Sequence, residues 1–215
     1  MLYIYVLGFI LLWKIQQKNF GTGLKKNNES YSFINQVDIE IKEKLLGNFS
    51  EELHKYCDKL YFEIGGNPEE CRELIITAEG NKDYFKQVES LVNTAPKIDK
   101  WVFTAFIPPR DIHFQLKYEG LILSPEEMWF MPLENKDNAL AIGFNICLRN
   151  YELVHTHDFF ESAMYKILDV LLGEKSAATD IDYIAFDQLP DNPEEEGMIE
   201  LAELPDYIAW KKKGN

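Results

Sequence analysis

Apolar residues recur along this chain with two periods, and the switches between the periods mark out its elements. Ile41, Leu45, Phe49, Leu53, Tyr56 and Leu60 follow at three- and four-residue steps, the spacing of one face of a helix that begins near Val37. Glu40, Glu43, Lys44, Glu51, Glu52 and Lys55 fall on its outer face. Tyr61–Ile64 and Glu73–Gly80 are rich in β-formers and flank the turn-like GGNPEEC, which predicts two adjacent antiparallel strands. After Lys82 the period returns to that of a helix through Tyr84, Phe85, Val88, Leu91 and Val92. This helix stops before Pro96, because proline has no N–H and restricts the residue ahead of it.

The second half begins with a strand over Trp101–Ile107, stopped by Pro108 and Pro109, and an alternating strand over Ile112–Tyr118 turned back by Glu119–Gly120. Leu121–Leu123, Glu127–Leu133 and Ala139–Arg149 supply further strands, with Asn135–Asn138 as a polar loop. Phe160, Met164, Ile167, Leu168 and Leu171 predict a helix capped by Thr156 or Asp158 and ended by Gly173. Ile181–Phe186 reads as a last strand. Strands that run in meanders rather than alternating with helices argue for an α+β fold, a mainly antiparallel sheet with two or three helices packed on it. No internal repeat is visible.

The ends of the chain differ from this middle. GTGLKKNNESYSFINQ, residues 21–36, is polar and without clear periodicity, so residues 1–36 read as an apolar segment plus a linker, followed by a single α+β domain over residues 37–215. Met1–Trp13 is uncharged, yet only about 20 Å long as a helix, against a hydrocarbon core of about 30 Å. It is either a buried element or a membrane anchor. If it inserts, Lys14, Lys18, Lys25 and Lys26 behind it leave the body in the cytoplasm, tethered to the inner membrane. At the other end, Ser176–Trp210 holds ten carboxylates and no Lys or Arg.

That bias dominates the charge. A net charge of −14 sets the chain against nucleic acid, whose binding needs lysine and arginine at phosphates, and favours a basic protein as partner. Within the biased stretch Glu194, Glu195 and Glu196 form the densest run and are candidates for a partner surface, and Arg110, beside Pro109 and near several aromatic residues, is a candidate grip for a carboxylate. Cys57, Cys71 and Cys147 are widely spaced and odd in number, which argues for a reducing compartment and against a disulfide framework.

With these elements in place, TAPKIDKWVFTAF (94–106), LDVLLGE (168–174) and LPDNPEEEG (189–197) resemble phrases of a family of uncharacterised bacterial proteins. The resemblance covers the body from about Tyr61 onward. It implies a single α+β domain in the bacterial cytoplasm and carries over no catalytic residue.

Chemistry of a familiar kind is missing. No G-x-S-x-G, H-E-x-x-H, Walker loop or G-x-G-x-x-G occurs, so no cofactor is expected. His155 and His157 are the weak metal candidates: on a strand they would share one side, with His113 or Glu152 as a third ligand, whereas in a polar loop they point into water. Asp180 and Asp182 share strand parity in the same way. The expectation is a non-catalytic interaction module. The alternative is a metal-dependent or hydrolytic enzyme using His155, His157 and nearby carboxylates.

Overall fold

The computed structural model describes the backbone of residues 2–214 and the side chains of residues 16–214. The chain forms two compact units, Met1–Phe106 and Ile107–Asn215. Both are α+β, and across the two units antiparallel strand pairs outnumber parallel ones.

Unit 1 contains α1 (Leu2–Ser32), α2 (Ile39–Tyr56), β1 (Tyr61–Asn67), β2 (Cys71–Thr77), α3 (Phe85–Asn93) and β3 (Trp101–Ala105). The segment expected to be a linker is helical and belongs to the core. Phe20, Leu24 and Tyr31 of α1 are buried, as is Ile34 just beyond it, while Lys25, Lys26, Asn27 and Glu29 face water. Spacing of four and seven residues puts those apolar side chains on one stripe, and packing of that stripe outweighs the weak helix propensity of glycine, asparagine and serine. Phe49 of α2 meets Phe20 and Tyr31 edge-on, with ring centroids 5.3 and 5.2 Å away, and lies 4.1 Å from Phe62 of β1. Hydrogen bonds from Gln17 to Ser90 (2.7 Å) and from Tyr56 to the Gln87 carbonyl (3.1 Å) tie α1 and α2 to α3.

Among the described residues no helix is long and apolar enough to cross a membrane. The side chains of Met1–Trp13, on which the anchor expectation rests, lie outside those described.

The sheet of unit 1 has the order β1-β2-β3, with β2 antiparallel to β1 and parallel to β3. Unit 2 repeats the scheme. Its elements are β4 (Leu116–Tyr118), β5 (Leu121–Leu123), β6 (Trp129–Leu133), β7 (Gly143–Leu148), α4 (Tyr151–Val154), α5 (Phe160–Leu172), α6 (Glu174–Asp180), β8 (Tyr183–Gln188), β9 (Ile199–Glu200) and α7 (Leu204–Lys213). The β6–β7 hairpin is followed by helices and then by β8, parallel to β7, in the order β8-β7-β6-β9. A parallel neighbour needs a crossover, which α3 supplies in one unit and α4 to α6 in the other. A hairpin, a helical crossover and a parallel third strand thus occur twice, although the sequence shows no repeat.

Phe130, Phe144, Ile146 and Leu148 form the helix-facing side of the second sheet, against Phe160, Met164, Ile167 and Leu168 of α5. The short β4–β5 hairpin turns at Glu119 and Gly120, both at positive φ, as expected from that pair. Two expectations change in detail. The helix after residue 156 has Phe159 at its N-cap with no side-chain cap, so neither Thr156 nor Asp158 performs that role. Gly173 does end α5, at φ 78°, but the chain re-enters a helix at once as α6. A Cβ at Gly173 would stand 3.0 Å from Pro109 Cδ, so glycine is required there by backbone and by space alike.

Candidate acidic interaction surface

The acidic segment is built into unit 2. Leu189, Pro193, Met198, Leu201, Leu204 and Ile208 are buried along it, and Leu189 and Met198 pack with Cys147 against Trp129 and Met131. The Leu201 N–H donates to the Met128 carbonyl at 2.9 Å, and β9 pairs with β6. Spacing explains the arrangement: apolar residues recurring every three to five positions turn inward, and the carboxylates between them stay exposed.

Glu194, Glu195 and Glu196 occupy the tip of a closed turn. Gly197 donates to the Glu194 carbonyl and Met198 to the Pro193 carbonyl, each at 3.0 Å. All three carboxylates are exposed, and none has an ion-pair partner among the described residues. Their field reaches the sheet. Burial pushes the Cys147 thiol up to about 11, and the nearby charges of Asp187 and Glu196 add to the effect. A strand carboxylate and a turn carboxylate thus act on the same buried sulfur. Asp187 was not singled out by sequence, because only the pairing of Cys147 with Asp187 across β7 and β8 brings it there.

Arg110 is exposed, and its backbone N–H donates to the Val170 carbonyl at 2.7 Å. The strap carrying it is fixed by Glu174. This carboxylate is fully buried; it accepts from the Ile107 N–H at 3.1 Å, while the Glu174 N–H returns a bond to the Ile107 carbonyl at 2.9 Å. A Glu inside an LLGEK sequence carries no sign of such a task, which depends on the chain passing beside it.

The histidines do not form the expected pair. They lie at and after the end of α4 rather than on a strand, so strand parity does not place them on one side. The His155 ring stacks on Tyr151 and its Nδ1–H donates to the Tyr151 carbonyl at 3.0 Å. His157 Nδ1 instead accepts the Phe159 N–H at 3.2 Å, satisfying a backbone donor ahead of α5. His113 lies 3.1 Å from Glu126. Among the described residues no group of three His, Cys, Asp or Glu side chains is placed to hold a metal. Asp180 and Asp182 are also separated in role. Asp180 ends α6 and pairs with Lys212 and Ser176, whereas Asp182 precedes β8 and accepts the Ile142 N–H at 2.8 Å.

Two further features carry polarity. An open depression of about 620 Å³ lies beside the β6–β7 loop, lined by Leu133, Glu134, Lys136, Gly143, Asp182 and Tyr183. In unit 1, Arg72 is only 2% exposed, yet donates to the Gly66 carbonyl (2.7 Å) and the Tyr31 carbonyl (3.4 Å). Burial lowers its pKa. It joins the β1–β2 turn to the C-terminal end of α1, where carbonyls lack helical partners and favour a cation.

No family model matches the chain, and no curated protein or solved structure matches it either. The resemblance to uncharacterised bacterial proteins rests on the quoted phrases alone.

Proposed function

We propose that the chain is a non-catalytic interaction module that presents a fixed acidic surface on unit 2 to a basic protein. The observation that carries this reading is the Pro193–Met198 turn, which holds three unpaired carboxylates in the open over a buried base. A loose acidic tail serves solubility equally well from any conformation. A closed turn with apolar anchors fixes where the charges stand, and fixed complementary charges act on encounter rate and on choice of partner.

The supporting experiment follows association of an oligolysine peptide with the full chain at low salt. Glu194, Glu195 and Glu196 are reversed to Lys in one variant; in a control, Glu40, Glu43 and Glu51, exposed on α2, are reversed instead, giving an equal change in net charge. The first variant slows association about tenfold and the control much less, and the difference fades at physiological salt, where the Debye length is about 8 Å. Equal slowing in both variants means that net charge alone acts, and the reading fails.

A further inference from the structure

We infer that the free edge of β8 is a docking site for an extended, basic segment of a partner protein, which adds to the second sheet as a new strand; this deepens the acidic-surface reading and rests on it. Among the described residues β8 ends its sheet and pairs only with β7. The phase of that parallel ladder is set by the Tyr183 N–H on the Ile142 carbonyl and the Leu189 N–H on the Leu148 carbonyl. In a parallel pair, alternate residues direct both backbone groups to the neighbour and those between direct both away. Ala185 and Asp187 therefore bond toward β7, and Ile184, Phe186 and Gln188 present N–H and C=O to the open side. The Gln188 N–H is taken by Asp187 Oδ1 at 2.8 Å. Those of Ile184 and Phe186 have no partner in this sheet.

Exposed edges are usually guarded by lysine, proline, a bulge or brevity. β9, at the other side of the same sheet, is guarded by brevity, with two residues. The outer strands of unit 1 begin beside lysines, Lys59 before β1 and Lys97 and Lys100 before β3. The six residues of β8 contain no proline and no lysine, their register with β7 is unbroken, and they lie within the stretch of Ser176–Trp210 that has no cation. Its exposed side chains are Tyr183, at 59%, and Asp187, with Asp182 just before the strand and Asp191 three residues after it. A second copy of β8 brings the same cation-free acidic stretch on a chain of net charge −14, so like-charge repulsion opposes its approach. An extended segment with alternating Lys or Arg satisfies the backbone groups of Ile184 and Phe186 and meets these acids.

The probe is a peptide of alternating Lys and Val, about as long as β8, titrated into the full chain at low salt while backbone amide exchange is followed residue by residue. At saturation the Ile184 and Phe186 amides slow by at least about tenfold, since exchange then requires the bound strand to leave. A Glu–Val peptide produces no slowing. If the Lys–Val peptide binds but those two amides exchange as before, the edge proposal is wrong and the acidic surface stands. If neither peptide binds, both readings fall, and if the Glu–Val peptide protects equally, the partner is not a basic one.

Discussion

Met198 donates its backbone N–H to the Pro193 carbonyl 3.0 Å away, and the turn this closes leaves Glu194, Glu195 and Glu196 exposed. The same residue sits buried beside Cys147 and Leu189, so the anchor of the acidic turn is apolar while its tip is charged.

Stability and charge should therefore separate within this segment. Met198→Ala is expected to cost about 2–4 kcal/mol, the usual loss for a buried Met truncated to Ala. Reversing the three glutamates should change stability by no more than about 0.5 kcal/mol, as for exposed sites without partners. Urea unfolding of both variants against the parent chain checks this.

Unit 1 should depend on α1. Leu24→Ala is expected to lower stability by about 2–4 kcal/mol, and removal of residues 1–35 should abolish a cooperative melt of unit 1, because Phe20, Leu24, Tyr31 and Ile34 cover its core. Circular dichroism melts of the two variants measure it. A truncated chain that melts as sharply as the whole protein contradicts the packing of α1.

Most elements of the middle of the chain were legible because each carries one clear period. The α5 stripe from Phe160 to Leu171 and the strands on either side of GGNPEEC fall where their spacing places them. α1 was not legible over residues 21–32. Its buried positions are Phe20, Leu24 and Tyr31, too sparse among Gly, Lys and Asn to stand out from a linker. The parallel neighbours β3 and β8 were hidden for another reason, since strand direction depends on the crossover and leaves no local pattern. Of the candidate surface, the charge run was plain from sequence. The closed turn that carries it was not, because the bonds that close the turn are backbone to backbone and independent of side-chain type. Placing His155 and His157 required knowing that α4 ends there, and no strong apolar period announces a four-residue helix.

The exposed and the buried thiol should differ sharply in reactivity. Cys71 is exposed and Cys147 is buried, with its pKa pushed up to about 11. At pH 8 a disulfide reagent should modify Cys71 rapidly and leave Cys147 untouched until unfolding, since the thiolate is the reacting form. The native state holds the Cys147 proton more tightly than the unfolded chain, whose value is near 9.0. Its contribution to stability is thus full below pH 9 and declines as pH rises toward 11. Mass spectrometry of the labelled native protein decides the order.

Asp180 should show the opposite dependence. Burial pulls its carboxyl upward, but Lys212, Ser176 and Thr179 outweigh this and hold it below the ordinary carboxylate range. A depressed native pKa stabilises above the unfolded value of 3.8, and that contribution disappears as pH falls through the native one. Asp180→Asn should lose about 1 kcal/mol at pH 7, a modest sum for a half-exposed lysine partner, and the gap to the parent chain should be smaller at pH 3. Unfolding free energies at the two pH values measure it.

The most direct measurement on the fixed acidic surface is amide exchange at Gly197 and Met198 in the free protein. If the turn is closed as described, both amides exchange at least about tenfold more slowly than those of an unstructured peptide of the same sequence, and they hold that protection after Glu194, Glu195 and Glu196 are reversed to Lys. Exchange at the unstructured rate in the parent chain would mean a mobile acidic tail and contradict the account.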